Sequence, residues 1–251
     1  MGLREPQMSD QSLVLKFQFE PGGIYTIGEL RDFEKQLSAA RQRDRDLSRA
    51  WRVPQSPQMK RWVKIREETY AIKLLADHKS YSDDARFHLK PFGYPNIDAE
   101  IVNASERFEL QITNADAYWV NEDGIGQNGG YDRRLGLEAL NEFGFVHGSG
   151  LMRREEDGRI VSGKPVRSLE EEFQACQEGL VKALQRKLRR GVRGCRLLVH
   201  AREYSFHTMD FTFEDVVRSA IAAVRSDVDR TSFNTIYFVD EKEDAFFAHV
   251  K

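Results

Sequence analysis

Four polar side chains in two short segments are spaced for work on a charged substrate. In Asn96 to Asn103 (NIDAEIVN) and Glu106 to Thr113 (ERFELQIT), polar and apolar residues alternate with the period of a β-strand. Successive strand side chains point to opposite faces, so Asp98 and Glu100 share one face, and Glu109, Gln111 and Thr113 share one face of the next strand. The junction Asn103-Ala104-Ser105-Glu106 is short enough to be a hairpin turn. With Asn103 and Glu106 flanking two turn residues, Asp98 pairs with Gln111 and Glu100 with Glu109. Two or three carboxylates then crowd one face. Such crowding is unfavourable unless solvent, a proton or a cation relieves it, and Mg²⁺ prefers oxygen ligands of this kind. A plainer reading stands beside this one, because an amphipathic hairpin packs its apolar side inward and leaves polar groups in water.

The elements around the hairpin decide between these readings. Pro57 precedes an expected helix over Gln58 to Lys79, with Trp62, Ile65, Thr69, Ile72 and Ala76 on one face. Glu68 lies three residues after Ile65 and four before Ile72, at the margin of that stripe, where it can approach the hairpin carboxylates; Glu67 is expected to point away. The ordinary role for Glu68 is a boundary residue whose stem covers apolar surface. Upstream, Ser12 to Phe19 alternates like a strand, and a helix is expected from Thr26 or Gly28 into the forties. Downstream, Ser168 can cap a long amphipathic helix with Glu171 three residues later, its stripe being Phe173, Cys176, Leu180, Leu184 and Leu188. Cys195 to Ala201 then reads as a buried strand, FTFEDVVRSAIAAVRSD as a helix, and Asn234 to Asp240 as a strand, a crossover unit with a parallel pair. AFFAHV is a last strand. Between Val120 and Pro165 lies a Gly-rich stretch with an expected short helix over Leu135 to Glu142, and LMRRE and RIVSG are expected to pair across Glu156-Asp157-Gly158.

Helix with an acid (Glu68), strand with an acid (Asp98), strand with acid-x-amide (Glu109-Leu110-Gln111), then helix, strand and helix resembles the restriction-endonuclease-like superfamily of PD-(D/E)XK nucleases. The resemblance covers roughly Gln58 to Asp240 and rests on the order of elements more than on the short motif. Pro95 stands three residues before Asp98 rather than next to it, and Gln111 stands where the motif has lysine. The resemblance implies an α/β fold with a mixed central sheet flanked by helices. It also implies that Asp98, Glu109 and the Leu110 carbonyl bind Mg²⁺ or Mn²⁺, that Gln111 orients the attacking water, and that Glu68 is an accessory ligand. The reaction implied is metal-assisted hydrolysis of a phosphodiester. Lys182, on the helix after the hairpin, is one basic group that could replace the missing lysine. Gln177 shares a helical face with Phe173, Leu180 and Leu184, and reads first as a buried, hydrogen-bonded amide.

At 251 residues the chain suits one large domain, or a domain with an appended arm: residues 1–57 as arm or small subdomain, 58–251 as the core with an insertion at about 120–165. The composition, 40% hydrophobic and 11% aromatic, supports a sizeable core, and the mean hydropathy of −0.59 reflects a charged surface. A net charge of −2 argues against indiscriminate coating of polyanions. The cations are nevertheless clustered. Nine fall between Ala40 and Arg66 against Asp44 and Asp46, with Trp51 and Trp62 among them; Arg49, Arg52, Lys60 and Arg61 are the expected phosphate contacts. Six more lie between Gln185 and Arg196 with no acid, as suits a helix C-terminus.

No apolar run approaches the ~20 residues of a membrane helix, and MGLREPQMSDQ has no signal-peptide core, so a cytoplasmic protein is expected. Cys176 and Cys195 show no ligand spacing, and the six histidines show none either. Gly124-Ile125-Gly126-Gln127-Asn128-Gly129 has dinucleotide-fingerprint spacing but follows a polar segment, which favours a loop. Two functions stay open: a metal-dependent nuclease, acting on DNA sooner than RNA, and a nuclease-like domain that binds nucleic acid or a protein partner without cutting. A homodimer is compatible with either.

Overall fold

Thr26 ends β1 (Ile24–Thr26) and caps α1 (Ile27–Arg43). Its Oγ1 accepts the Glu29 N–H at 3.1 Å while Glu29 Oε2 accepts the Thr26 N–H at 2.7 Å, a reciprocal cap that turns strand into helix without a loop. The computed structural model describes residues 19–43, 57–91, 97–116, 152–154, 160–162, 169–202, 211–240 and 245–250. The chain continues through α2 (Pro57–His78), β2 (Arg86–Leu89), β3 (Ala99–Val102) and β4 (Arg107–Asp116). A short pair, β5 (Met152–Arg154) and β6 (Ile160–Ser162), precedes α3 (Leu169–Leu188), β7 (Arg196–Arg202), α4 (Phe213–Ala223), α5 (Arg225–Arg230), β8 (Thr235–Asp240) and β9 (Ala245–Val250).

Seven strands form one mixed sheet in the order β1-β2-β3-β4-β7-β8-β9. The first four are an antiparallel meander, β4, β7 and β8 are parallel, and β9 closes the far edge antiparallel. Each parallel step needs a crossover, and α3 and α4 supply the helices. The protein is therefore mixed α/β, with the expected parallel pair of β7 and β8 and the expected short hairpin of β5 and β6.

Alternation along the central strands divides the core in two. Ile101, Leu110, Ile112, Leu198 and Val239 pack with Leu30, Phe33, Ile65 and Ile72 of α1 and α2. Leu197, Val199 and Phe238 pack with Cys176, Leu180 and Leu184 of α3 and Val217 of α4. The sheet is thus covered by helices on both faces.

Residues 19–43, read above as part of an arm, supply β1 to this sheet and Phe19, Ile27, Leu30 and Phe33 to its core. β1 and β2 were not anticipated: RFHL reads as a polar connection, yet Phe87 and Leu89 alternate inward and complete the meander. The expected strand over residues 12–19 lies outside the described residues except for Phe19, and the expected helix over residues 135–142 and the 124–129 glycines lie wholly outside them. α2 is buried over a wider arc than its sequence stripe, since Ala71, Leu74 and Leu75 join Ile65, Thr69 and Ile72 between the sheet and α1.

Candidate active site

The hairpin turns where its sequence says it should. Asn103 Oδ1 accepts the N–H groups of Ser105 and Glu106, each at 2.8 Å, and Asn103 N–H donates to Glu106 O at 3.0 Å. This two-residue turn sets Glu100 opposite Glu109 and Ala99 opposite Leu110. One step further, Asp98 brackets Gln111. Asp98 N–H donates to the Leu110 carbonyl at 2.9 Å, and Asp98 Oδ2 accepts the Ile112 N–H at 2.6 Å, so the side chain prolongs the ladder beyond the end of β3.

That position lies in the plane of the sheet, where groups from both helical layers can reach it. From α3, Lys187 Nζ stands 3.8 Å from Asp98 Oδ2. From α2 comes Glu68, which shares its side of the helix with buried Ile72 and Leu75. Burial, and next the charge of Asp98, push the Glu68 carboxyl up to about 7, although Lys64 and Lys187 pull it down. Glu109 belongs to the same neighbourhood. The Cys195 thiol, which donates to the Glu109 carbonyl at 3.3 Å, is pushed up to about 12 by burial first, then by the charges of Glu109 and Asp98. Gln111 is buried at 1% exposure and points to the α3 side, in register with Leu197.

Other expected members go elsewhere. Glu100, opposite Glu109, is held by Arg107 Nε at 2.5 Å and Lys90 Nζ at 3.2 Å, and those two cations, Arg107 first, keep its carboxyl below the usual range. The crowding expected there is relieved by lysine and arginine. Lys182 sits one helical turn from Glu178 at 3.8 Å, and Asp98's lysine neighbour is Lys187 instead. Gln177 donates to Ser219 Oγ at 2.8 Å, joining α3 to α4 as a structural amide. Glu67 also faces inward: its Oε2 accepts from Asn114 Nδ2 at 3.0 Å because α2 is buried on so broad an arc. Arg186 donates to the Asn114 carbonyl at 3.1 Å, so the end of β4 receives the basic end of α3. Lys187 and Arg186 were assigned above to the helix macrodipole; the absence of any acid between Gln185 and Arg196 was the signal that their partners lie elsewhere, a carboxylate for Lys187 and a carbonyl for Arg186.

Of the expected phosphate contacts, Lys60 is exposed, Arg61 pairs with Glu20 at 2.8 Å, and Arg49 and Arg52 lie outside the described residues. Carboxylate and carbonyl oxygens surround Asp98, the donor type a hard cation takes, and burial first, then the charge of Asp98, raises the Glu68 carboxyl. Among the described residues no group of three His, Cys, Asp or Glu side chains is gathered closely enough to hold a metal by itself. No helix among the described residues is long and apolar enough to cross a membrane.

Compared with protein-family models, with curated proteins and with solved structures, the chain matches none.

Proposed function

We propose that this protein is a metal-dependent phosphodiesterase of the PD-(D/E)XK type, cutting DNA sooner than RNA. The observation that carries the reading is the convergence of Glu68, Asp98 and Lys187, from α2, the end of β3 and α3, beside the Glu109-Leu110-Gln111 strand. The order helix, three-strand meander, crossover helix and parallel strand supports it as well, since a restriction-endonuclease-like core needs that order.

In this reading Asp98, Glu109 and the Leu110 carbonyl would hold Mg²⁺ or Mn²⁺, which when bound neutralises the phosphate and acidifies the attacking water. The chain's own groups do the rest. Lys187 supplies the positive charge that Gln111 lacks. It stands on the Asp98 side of the site, where an ammonium can stabilise charge developing on a phosphate oxygen. Gln111, fixed by burial between the backbone and side-chain bonds of Asp98, would present an amide that orients water without taking its proton. Glu68, with a carboxyl titrating near neutrality, is matched to proton transfer at about pH 7. Both cysteines are buried thiols outside any disulfide, as suits the reducing cytoplasm in which we place the protein.

The test is cleavage of labelled single- and double-stranded DNA and RNA with Mg²⁺ or Mn²⁺. Wild type should cut, Asp98→Asn should not, and Lys187→Met should cut about a hundredfold more slowly or worse. If nothing is cut with either metal and calorimetry detects no divalent ion, the domain binds nucleic acid or a protein partner without cutting.

A further inference from the structure

The side of α2 turned away from Glu68 carries a second assembly of charge. Arg66, Tyr70, Lys73 and Asp77 recur at helical spacing, about 200° around the helix from Glu68 at the nearest step. They face Arg31, Lys35, Ser38 and Arg41, which recur in the same way along α1. Arg31 reaches Asp77 and Glu34 reaches Arg66, so the two helices run antiparallel. Between them lies a groove of about 650 Å³.

Five cations line this groove against two acids, Glu34 and Asp77. Both acids are committed. Buried Glu34 takes both arms of Arg66, at 3.1 and 2.8 Å, and Asp77 is shared between Arg31 and Lys73, each at 2.8 Å. Asp83 and Asp32 pair with Arg31 and Lys35 at the exposed rim, so over all four acids the groove keeps an excess of one cation. A concave surface with such an excess focuses positive potential. The Arg66 guanidinium lies 4.6 Å from the Tyr70 ring centre, so the cation sits over an aromatic floor. The excess grows along the sequence, where nine cations between Ala40 and Arg66 stand against Asp44 and Asp46.

We propose that this groove binds the sugar-phosphate backbone of a single-stranded nucleic acid. Packed helix axes stand roughly 8–10 Å apart, so the furrow over their seam is narrow and suits a single backbone better than the wider duplex. The lined part of α1, Arg31 to Gln42, is about 17 Å long, within the site of a few nucleotides that such proteins occupy. The inference rests on the nucleic-acid reading above for the identity of the polyanion. The groove and the carboxylates lie on opposite flanks of α2, so the groove holds strand that is not being cut.

Fluorescence anisotropy with a labelled twelve-nucleotide oligo(dT), without divalent metal and over a salt series, tests it on the full chain. Lys35→Glu with Arg41→Glu should weaken binding at least tenfold at low salt and flatten the log–log salt slope by about 1.4, two phosphates' worth for a single strand. Arg225→Glu with Arg230→Glu on α5, beneath the opposite face of the sheet, should leave both unchanged. Asp98→Asn should bind as wild type, so loss of cutting and loss of groove binding are read separately. Lys35→Ala with Arg41→Ala gives the same comparison if the reversal disturbs folding. Wild-type binding by the groove variants, equal loss in the α5 variant, or equal loss for duplex DNA would each overturn the proposal.

Discussion

The Lys187 ammonium stands 3.8 Å from the same Asp98 oxygen that accepts the Ile112 N–H at 2.6 Å. One carboxylate oxygen therefore completes the sheet and meets the crossover helix. Asp98→Asn keeps an acceptor for Ile112 and removes the charge, whereas Asp98→Ala strips a part-buried N–H of its partner. The alanine variant should lose about 1–3 kcal/mol in a urea melt and the asparagine variant less than half of that, while neither cleaves. Equal stability of the two would show that the Ile112 bond contributes nothing.

Lys187 and Lys182 lie on one helix, but Lys187 alone of the two pairs with Asp98. Lys187→Met should lower the cleavage rate by about a hundredfold or more, and Lys182→Met should leave it near wild type. Adding Gln111→Lys to Lys187→Met returns an ammonium from the neighbouring strand. Gln111 is 1% exposed, so the new charge is tolerated only if Asp98 and Glu109 pair with it. Recovered cleavage in the double variant, measured on the same oligonucleotide, shows that charge rather than position was lost.

Glu68 titrates near 7 in the fold, above its ordinary 4.5, because burial and then Asp98 oppose its charge. Between these values the native state holds the extra proton, so stability falls as pH rises from about 4.5 to 7, by up to about 3 kcal/mol from this group. Glu68→Gln removes that contribution. Denaturant melts should show the variant more stable than wild type at pH 8 and similar to it at pH 4.5, and Mg²⁺ at pH 8 should narrow the gap if the cation binds beside Glu68.

Arg196 holds the opposite end of the sheet together. Its Nη1 donates to Glu106 Oε2 at 2.7 Å and Tyr237 Oη at 2.6 Å, its guanidinium lies 3.8 Å from the Phe108 ring centre, and Tyr81 donates to Glu106 from the other side. Arg196→Met leaves Glu106 among aromatic rings with Lys79 as its remaining cation at 3.5 Å. A loss of about 2–4 kcal/mol is expected by chemical denaturation, with cleavage unchanged where the variant is folded.

Lys60 is exposed, while Arg61 is paired with Glu20. Lys60→Ala should flatten the salt dependence of DNA binding by about 0.9 in the log–log slope, and Arg61→Ala by less, because its charge is already partly offset. Equal slopes for both variants would remove the Glu20 pair from consideration.

The local chemistry of the sequence determined the hairpin. Asn103 and Glu106 fix a two-residue turn, and strand pairing has a strict period of two, so the register that sets Glu100 against Glu109 and Asp98 beside Gln111 follows from the spacing alone. The helices over residues 57–78 and 169–188 and the parallel strands were legible for the same reason, that periodicity records which face is buried. β1 and β2 were not, because each is short and, unlike β3 or β5, has no partner across a tight turn in the sequence to mark it. What met Asp98 was decided by tertiary structure. Lys187 and Lys182 are equally plausible along the helix, and only the packing of α3 on β4 brings one to the end of β3 and turns the other toward Glu178. Glu100 and Asp98 lie on one strand face in sequence, yet Arg107 and Lys90 neutralise the first, while the second meets Lys187 from α3 and, after burial, raises the carboxyl of Glu68 on α2. The reason is that electrostatic pairing depends on distances of a few ångströms between elements far apart in the chain, and residue spacing holds no record of them.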